Sequence, residues 1–349
     1  MRFFVLLLLL SILLFTQNSI CQNCTSLCLN TSKGTFFGAN LDLQWGDGLI
    51  FVNRRGINKQ GYLTNTLGET AKWTSKYGSL TFNLLGREFA WCGINEAGLV
   101  ISTMYLNATI LPAEDERPPL VSGFWVQYML DNCKNVSEVI AANSIIRLAE
   151  DKCHFLVGDL SGNCASIEFL NGKLVYHTGD KMPIAAQTND PYSELLDYYN
   201  KKIIPENDPF HSVKRFHDVA EKINAFNEHI EISPIDYLIN ILTKDVKMDD
   251  TKWSIFFDLE KRDVYFQTKD SPILKSIHLN SFDLSCNSPL KMQNVNIESF
   301  GDISSKFINY DHNLNLLVFE KFCNRWGVEV SSENAKLLIN FLEGFSCVK

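Results

Sequence analysis

The sequence lacks the features that direct proteins to nucleic acids, anionic membranes or structural metals. Its 40 acidic residues outnumber its 32 lysines and arginines, and the net charge of −8 argues against a nucleic acid or an anionic membrane as partner. After the apolar N-terminal run, no stretch is apolar and long enough to anchor the chain. No cysteines or histidines have the spacing of zinc ligands, and no repeats occur. We therefore expect a globular protein with no metal, no nucleic-acid partner and no stable membrane anchor.

The apolar N-terminal run is typical of a secretory signal peptide. Arg2 precedes the segment 3–15, whose roughly 13 residues are too few to span a bilayer. Signal peptidase prefers small residues at positions −3 and −1, and Ser19 and Cys21 satisfy that preference for a cut before Gln22. The sequence therefore predicts delivery to the secretory route, with the protein either secreted or in the endolysosomal lumen.

This cut divides the chain into three parts. We expect residues 1–21 to be the signal peptide and residues 24–349 to form a single domain. Residues 22–23 would then be a short propeptide, whose removal, by trimming or by self-cleavage, would make Cys24 the first residue.

Ten cysteines suit an oxidising compartment. With Cys21 in the signal peptide and Cys24 set aside as a candidate nucleophile, eight remain, enough for up to four disulfide bridges: Cys28, Cys92, Cys133, Cys153, Cys164, Cys286, Cys323 and Cys347. Sequons at Asn30, Asn107 and Asn135 predict a glycosylated surface.

Strand patterns and helix patterns occur in separate blocks. The apolar runs 89–94 and 99–105 flank a four-residue turn that ends at Gly98, which predicts a hairpin. Helical periodicity predicts helices over 136–148 and 234–242, together with a final helix over 333–345. Blocks of strands and blocks of helices favour sheets packed face to face with helices outside, so the predicted class is α+β.

Four separated motifs resemble the choloylglycine hydrolase and penicillin V acylase family of N-terminal nucleophile amidases. They are CTSL at 24–27 with FGANLD at 37–42, GINEAGL at 93–99 running to Tyr105, TNDP at 188–191 and SVKRF at 212–216. Order and spacing agree over roughly residues 24 to 270. The resemblance implies an αββα four-layer sandwich and a hydrolase of linear, non-peptide C–N amide bonds.

The chemistry of an N-terminal cysteine fits this resemblance. An amide is a poor electrophile, so its hydrolysis needs a strong nucleophile, a base and an oxyanion stabiliser. The ordinary pKa of a cysteine thiol is near 8.5 and that of an α-amine is about 7.7–8.0, so the amine of Cys24 could accept the thiol proton. Only a cysteine at the start of the chain has such an amine. The mechanism needs no metal or organic cofactor.

The resemblance implies a role for each of the other site residues. Asp42 would hold the amine and orient the thiol. Asn189 and the backbone N–H of Tyr105 would donate to the oxyanion, while Arg215 would stabilise charge beside Cys24. Taken alone, Asp42 and Asn189 could be turn residues and Arg215 a solvated helix residue.

The substrate prediction is less specific than the catalytic one. Asn95 is assigned mainly to turn geometry, although the resemblance places it close to the active site, and Trp45 with Tyr105 would hold an apolar acyl group. Where bile-salt and penicillin V enzymes carry an arginine, this chain has Ala39. An alanine can neither lower a thiol pKa nor bind a substrate carboxylate, so the substrate is expected to be another N-acylated small molecule.

The sequence also has to be weighed against three other functions. An acyltransferase would use the same residues as the hydrolase. A disulfide-bonded binding protein on the same fold, without activity, is the alternative from a different class. A papain-like protease is disfavoured because no cysteine has the flanking sequence of that family. Homo-oligomerisation is left open.

Overall fold

The computed structural model describes residues 23–62, 70–227, 231–328 and 330–348. The predicted signal peptide and Gln22 therefore lie outside the described residues, whereas Asn23 is described and still precedes Cys24. None of the described helices combines the length and the apolarity needed to span a bilayer.

Two large antiparallel sheets dominate the described residues. The first sheet has seven strands in the spatial order β14 (Ala186–Gln187), β1 (Asn23–Thr31), β2 (Gly34–Asp42), β15 (Thr251–Asp258), β16 (Asp263–Thr268), β17 (Lys275–His278) and β19 (Gly301–Asp302). Only its last pair, β17 with β19, is parallel. Because β1 and β2 occupy the interior of this sheet, nearly all of their residues are buried.

The second sheet has nine strands among the described residues. Their spatial order is β13 (Lys173–Thr178), β12 (Cys164–Leu170), β11 (Cys153–Gly158), β8 (Val100–Tyr105), β7 (Ala90–Asn95), β6 (Ser79–Asn83), β3 (Leu49–Asn53), β18 (Lys291–Asn294) and β20 (Ile308–Asn309). Two minor sheets pair β9 (Pro119–Leu120) with β10 (Arg147–Leu148), and β4 (Ile57–Gln60) with β5 (Lys72–Thr74) and β21 (Ser346–Cys347).

Helices cover the outer faces of both sheets. The described α-helices are α1 (Ser122–Asn132), α2 (Val136–Ala142), α3 (Tyr192–Lys201), α4 (Ser212–Ala225), α5 (Pro234–Asn240), α6 (His312–Arg325) and α7 (Ser332–Glu343). Helices α4 and α5 pack on the first sheet, with α3 against α4, and α1 and α2 pack on the second sheet. Helices α6 and α7 pack on each other and extend the second helical layer. The result is the four-layer αββα arrangement, which confirms the predicted α+β class.

Local sequence signals explain much of this structure. Strands β7 and β8 form the predicted hairpin, and Gly98 adopts a φ of 87°, a conformation that glycine tolerates best. The side chain of Ser233 accepts a hydrogen bond from the Asp236 N–H and caps α5, whose first residue is Pro234.

The helix predicted over 136–148 is wrong in its second half. Helix α2 ends at Ala142, and Arg147 and Leu148 instead pair in parallel with Pro119 and Leu120. This pairing buries Leu148 against the second helical layer, so tertiary contacts outweigh the helical pattern. Helix α6 was not predicted.

The described cysteines form one disulfide bridge, Cys286–Cys347, which closes a separation of 61 residues. The other described cysteines are buried free thiols: Cys24, Cys28, Cys92, Cys133, Cys153, Cys164 and Cys323. The cysteine count allowed up to four disulfide bridges, and the described residues form one. A buried thiol packs as a small apolar group, which accounts for thiols in the core.

A buried group of charges, here called the Lys59 cluster, lies between β4 and α1. The Lys59 Nζ lies 2.8 Å from Glu88 Oε2 and 3.0 Å from Asp131 Oδ2. The Trp73 Nε1 also donates to Asp131 Oδ2, at 2.7 Å, and the Gln127 Nε2 donates to Oδ1 at 2.8 Å. Both carboxylate oxygens of Asp131 are thus satisfied.

Candidate active site

The start of β1 places Cys24 between two sheets. Cys24 pairs with Leu41 of β2, and Leu41 pairs on its other side with Trp253 of β15. Residues directly opposite in an antiparallel pair project to the same face, so these three side chains lie in one row. Trp91 from the second sheet packs edge-on against Trp253, with ring centroids 6.0 Å apart. The cysteine therefore has an apolar, aromatic neighbourhood on this face.

Both the nitrogen and the sulfur of Cys24 are engaged. Its backbone N–H donates to Asn189 Oδ1 at 3.0 Å. Burial raises the pKa of the Cys24 thiol to about 12, and the negative charge of Asp42 adds to the rise. Hydrogen bonds from the backbone N–H groups of Asp42 and Tyr105 oppose this rise, as does the charge of Arg215. With Asn23 still attached, the thiol is therefore held in its protonated form at neutral pH.

The carboxamide of Asn189 is oriented at both ends. Its Oδ1 accepts from the Cys24 N–H and from Arg215 Nη2, at 2.7 Å, and its Nδ2 donates to the Tyr105 carbonyl oxygen at 2.9 Å. The Asn189 backbone N–H donates to Ser212 Oγ at 2.9 Å. Because Oδ1 accepts from two donors, the Nδ2 is turned toward the Tyr105 backbone.

Arg215 lies in the first turn of α4 and is buried. Its Nη1 donates to the Cys24 carbonyl oxygen and to Thr25 Oγ1, both at 2.5 Å, while Nη2 reaches Asn189. The guanidinium therefore ties β1 to the segment that carries Asn189. Loss of water at this buried position lowers its pKa, which the Asp42 carboxylate partly offsets.

Asp42 has one satisfied and one unsatisfied carboxylate oxygen. The Thr251 hydroxyl donates to Oδ1 at 2.5 Å, whereas Oδ2 is buried and has no hydrogen-bond partner among the described residues. Burial raises the pKa of Asp42 to about 6, against the opposing charge of Arg215. Thr251 pairs directly with Asp42 in the ladder. Thr251 was not predicted as a site residue, because no sequence motif links two residues that are so distant in the chain.

These contacts bring together five of the predicted residues, here called the Cys24 cluster: Cys24, Asp42, Tyr105, Asn189 and Arg215. The structure does not bring Asn95 to this cluster. Its Nδ2 donates to the carbonyl oxygens of Leu130 and Cys133, both at 2.8 Å, and it closes the turn between β7 and β8. Tyr105 ends the strand that begins just after this turn, roughly 20 Å away by strand geometry. Asn95 is therefore a turn residue that anchors helix α1.

Trp45 lies just beyond β2 in a second aromatic group. Its ring packs edge-on against Trp326 of the C-terminal region, with centroids 6.1 Å apart. Leu43, Leu84 and Phe322 line the same small cleft. No member of the Cys24 cluster lines this cleft, so a role of Trp45 in holding the acyl group stays a prediction.

The three sequons occupy accessible positions. Asn30 and Asn107 are exposed, and Asn135 is half-buried. Asn135 caps α2 by accepting from the Glu138 N–H through Oδ1, which leaves its amide nitrogen outside that contact. Glycosylation of these three residues stays a prediction.

The Cys24 cluster provides a thiol, a carboxylate, a carboxamide and a guanidinium within one buried group. In the described residues no three His, Cys, Asp or Glu side chains converge in a way that would hold a metal ion. The arrangement fits nucleophilic attack by sulfur, with backbone and carboxamide N–H groups nearby to stabilise an oxyanion.

Comparisons with known proteins find relatives by sequence and by structure. A sequence profile of linear amide C–N hydrolases of the choloylglycine hydrolase family matches residues 24–209, just over half of the chain. A penicillin V acylase of Pectobacterium atrosepticum is 29% identical over 138 residues. That alignment covers 34% of this chain and 36% of the acylase, so the chain spans little more than a third of that relative.

Solved structures show the same fold. Penicillin V acylase from Agrobacterium tumefaciens superposes with a TM-score of 0.66 at 21% identity, covering 82% of this chain and 98% of the acylase. A mutant of conjugated bile acid hydrolase from Clostridium perfringens superposes with a TM-score of 0.64 at 19% identity, covering 80% and 98%.

The chain thus shares the αββα fold of these penicillin V acylase and conjugated bile acid hydrolase structures. The chain belongs to the choloylglycine hydrolase family of linear amide C–N hydrolases, as its motifs predicted. Members of this family act on C–N bonds other than peptide bonds.

Proposed function

We propose that this protein is an N-terminal cysteine amidohydrolase, which cleaves the linear amide bond of an N-acylated small molecule through an acyl-thioester on Cys24. The observation that carries this proposal is the anchoring of the Cys24 nitrogen, which donates to Asn189 Oδ1 at 3.0 Å inside the buried cluster. A cysteine nucleophile inside a chain uses only its sulfur, so its backbone nitrogen would not need a partner in the active site.

Removal of Asn23 would convert the peptide nitrogen of Cys24 into an α-amine at the same position. The unsatisfied Asp42 Oδ2 supports this step, because a buried carboxylate oxygen without a donor is costly and an α-ammonium would satisfy it. The new positive charge would also lower the thiol pKa from about 12. Maturation would therefore both supply the base and release the thiolate.

The reaction then follows from the cluster. The α-amine takes the thiol proton, and the sulfur attacks the amide carbonyl. The Tyr105 N–H and the Asn189 carboxamide donate to the resulting oxyanion. The leaving amine takes its proton from the α-ammonium, and water hydrolyses the thioester to release the acid. Each oxyanion donor typically contributes about 10²–10³ in rate.

The surroundings of Cys24 favour an apolar acyl group. Ala39 is fully buried and pairs with Ser26 and Ile255, so this position adds no charge beside the nucleophile. Arg215 hydrogen-bonds to protein groups of β1 and to Asn189. The row formed by Leu41 and Trp253 is apolar. These features support an uncharged acyl group and leave the amine part of the substrate open.

The proposal includes an oxidising compartment and glycosylation. The signal-peptide pattern, the Cys286–Cys347 bridge and the exposed sequons at Asn30 and Asn107 support secretion or endolysosomal delivery. The structure contains a single chain, so a homo-oligomer stays a hypothesis.

Hydrolysis of a panel of N-acyl amides tests the proposal. The panel would vary the acyl chain at a fixed amine, and purified wild type would be compared with Cys24→Ala and with the matched control Cys28→Ala. We expect wild type and Cys28→Ala to release the free acid and Cys24→Ala to lose roughly 10⁶ in kcat, with a thioester trapped on Cys24 in wild type. Binding of amides without acid release in wild type would overturn the proposal, and acyl transfer to an added amine would redefine the product.

A further inference from the structure

We propose that His154 is a positioning residue for Asn189, which it fixes through the backbone carbonyl of Thr188. The inference rests on the proposed function, since it assigns a role within the same oxyanion site. His154 belongs to β11 in the second sheet, and its side chain is completely buried between the sheets. No motif in the sequence pointed to it.

The His154 ring spans the space between the two sheets. Its Nε2 lies 2.7 Å from the carbonyl oxygen of Thr188, the residue before Asn189. Its Nδ1 lies 2.6 Å from Gln187 Nε2 and 3.3 Å from Glu168 Oε1. The imidazole therefore contacts the backbone and a side chain of the segment that leads into the catalytic carboxamide.

The hydrogen-bond partners of the His154 ring indicate which of its nitrogens carries a hydrogen. A carbonyl oxygen only accepts, so Nε2 carries the hydrogen that is donated to Thr188. The Gln187 Nε2 has two hydrogens and donates one to Glu168 Oε1 at 2.9 Å and the other to His154 Nδ1. Glu168 Oε1 also accepts from the Tyr192 N–H at 2.9 Å. The tautomer with its hydrogen on Nε2 accommodates both the Thr188 carbonyl oxygen and the Gln187 amide.

The Thr188–Asn189 segment is fixed from the other side by helix α4. The Thr188 Oγ1 donates to the Ser212 carbonyl oxygen at 3.0 Å, and the Asn189 N–H donates to Ser212 Oγ at 2.9 Å. His154 thus supplies the contact from the second sheet, and Ser212 supplies those from the helical layer. Without the imidazole donor, the Thr188 carbonyl would be a buried acceptor that has lost a hydrogen bond.

His154 also links the two oxyanion donors. In the second sheet it pairs with Met104, the residue before Tyr105. In the first sheet, Gln187 pairs with Ser26 of the strand that starts at Cys24. One buried ring therefore fixes the relative position of the Asn189 segment and the strand that carries the Tyr105 N–H. Small displacements of oxyanion donors reduce the rate, because these donors act in the transition state.

Steady-state kinetics of three variants test this role. His154→Phe fills the space without a donor, whereas His154→Gln keeps an amide N–H donor for the Thr188 carbonyl. Phe155→Leu is the matched control: Phe155 is the next buried residue of the strand, but its ring stacks on Trp125 in the other layer, with centroids 4.2 Å apart. We expect His154→Phe to lower kcat about tenfold at unchanged KM, and His154→Gln to recover most of that loss.

A double variant separates positioning from folding. If His154 acts through Asn189, His154→Phe should cost about tenfold in wild type but less than about twofold in Asn189→Ala. An equal loss in both backgrounds, or an equal loss in His154→Gln and His154→Phe, would overturn the proposal. If Asn189→Ala does not mature, the comparison of kcat between His154→Gln and His154→Phe tests the proposal instead. The proposed function itself is judged separately, by hydrolysis in wild type and its loss in Cys24→Ala.

Discussion

Two buried clusters in this protein contain an aspartate whose pKa is raised to about 6 by burial, yet they differ in how completely the carboxylate is paired. In the Lys59 cluster, Asp131 accepts from Lys59, Trp73 and Gln127. In the Cys24 cluster, Asp42 accepts from Thr251 on one oxygen, and the other oxygen has no partner among the described residues.

We infer from this difference that the Lys59 cluster is a structural network and that the Cys24 cluster is a site. A fully paired buried network fixes the packing of the elements that it joins. A buried oxygen without a donor costs free energy, and chains retain such a cost at positions where function requires it. We propose that the α-ammonium of Cys24 is the missing donor to Asp42. The Lys59 cluster then serves as an internal reference for what a purely structural group of buried charges does.

The largest effect is expected from Lys59→Met. It leaves the Asp131 carboxylate without its cation and leaves Glu88, among the described residues, with only Arg87, whose Nε lies 3.4 Å from Oε1. Removal of one partner of a buried ion pair typically costs about 3–5 kcal/mol. The free energy of unfolding should fall by that amount in urea titrations, while kcat of the folded enzyme stays unchanged. Lys201→Met, which removes an exposed partner of Asp197, is the control and should change stability by less than about 0.5 kcal/mol. A loss of kcat in Lys59→Met without loss of stability would contradict the assignment of the Lys59 cluster to a purely structural role.

Asn189→Ala should have nearly as large an effect, but on catalysis. Removal of one oxyanion donor typically costs about 10²–10³ in kcat, or about 3–4 kcal/mol. Asn95→Ala is the matched control, because Asn95 is an equally buried carboxamide that bonds to backbone carbonyls in a turn. It should lower the melting temperature and leave kcat intact. A loss of kcat in Asn95→Ala with normal kcat in Asn189→Ala would contradict the assignment of Asn189 to the active site.

The pH dependence of stability should distinguish the unprocessed from the mature chain. A carboxyl whose folded-state pKa is raised from 3.8 to about 6 stabilises the fold fully below pH 3.8, and this contribution is lost as pH rises through 6. Asp42 and Asp131 should each remove about 1–3 kcal/mol of unfolding free energy over that interval in a chain that keeps Asn23.

In the mature chain the α-ammonium would lower the pKa of Asp42 and remove its part of this loss, while the part due to Asp131 persists. Urea unfolding at several pH values compares wild type with a Cys24→Ala chain whose mass shows that Asn23 is retained. Identical pH profiles for the two chains would argue against an ammonium beside Asp42.

The smallest effect is expected from Thr251→Val. This variant removes the hydroxyl donor of Asp42 while preserving the volume, and a hydrogen bond to a charged group is worth about 1.5 kcal/mol or more. The value of kcat/KM should fall roughly tenfold, and Thr251→Ser should restore it. If valine is tolerated without loss, the paired oxygen of Asp42 is not important for catalysis.

Much of the site could be predicted from the sequence because the family motifs carry it. Cys24, Asp42, Asn189 and Arg215 each lie in a motif of recognisable spacing, and the structure brings them together. Thr251 and His154 carry no such signal, because their partners lie 209 and 34 residues away and depend on sheet order. Asn95 is a mixed case: its assignment to turn geometry is confirmed, whereas the proximity to the site that its motif implied is not. The turn places Asn95 the length of β8 away from Tyr105.

The fold shows the same division between local and distant information. The hairpin around Gly98 and the start of α5 follow from turn and capping chemistry. By contrast, the segment 143–148 leaves the helical pattern because Leu148 pairs with Leu120, a residue that local periodicity does not include. The number of disulfide bridges could not be derived, since the cysteine count leaves the choice between a bridge and a buried thiol open.

The N-terminus of the purified protein tests the central claim most directly. Intact-mass and N-terminal peptide mass spectrometry would be applied to protein from a eukaryotic secretory host. The account predicts a mature chain that starts at Cys24, with an α-amine available to Asp42 and Asn189. A chain that still starts at Gln22 and nevertheless hydrolyses amides, or a mature chain that starts beyond Cys24, would contradict it.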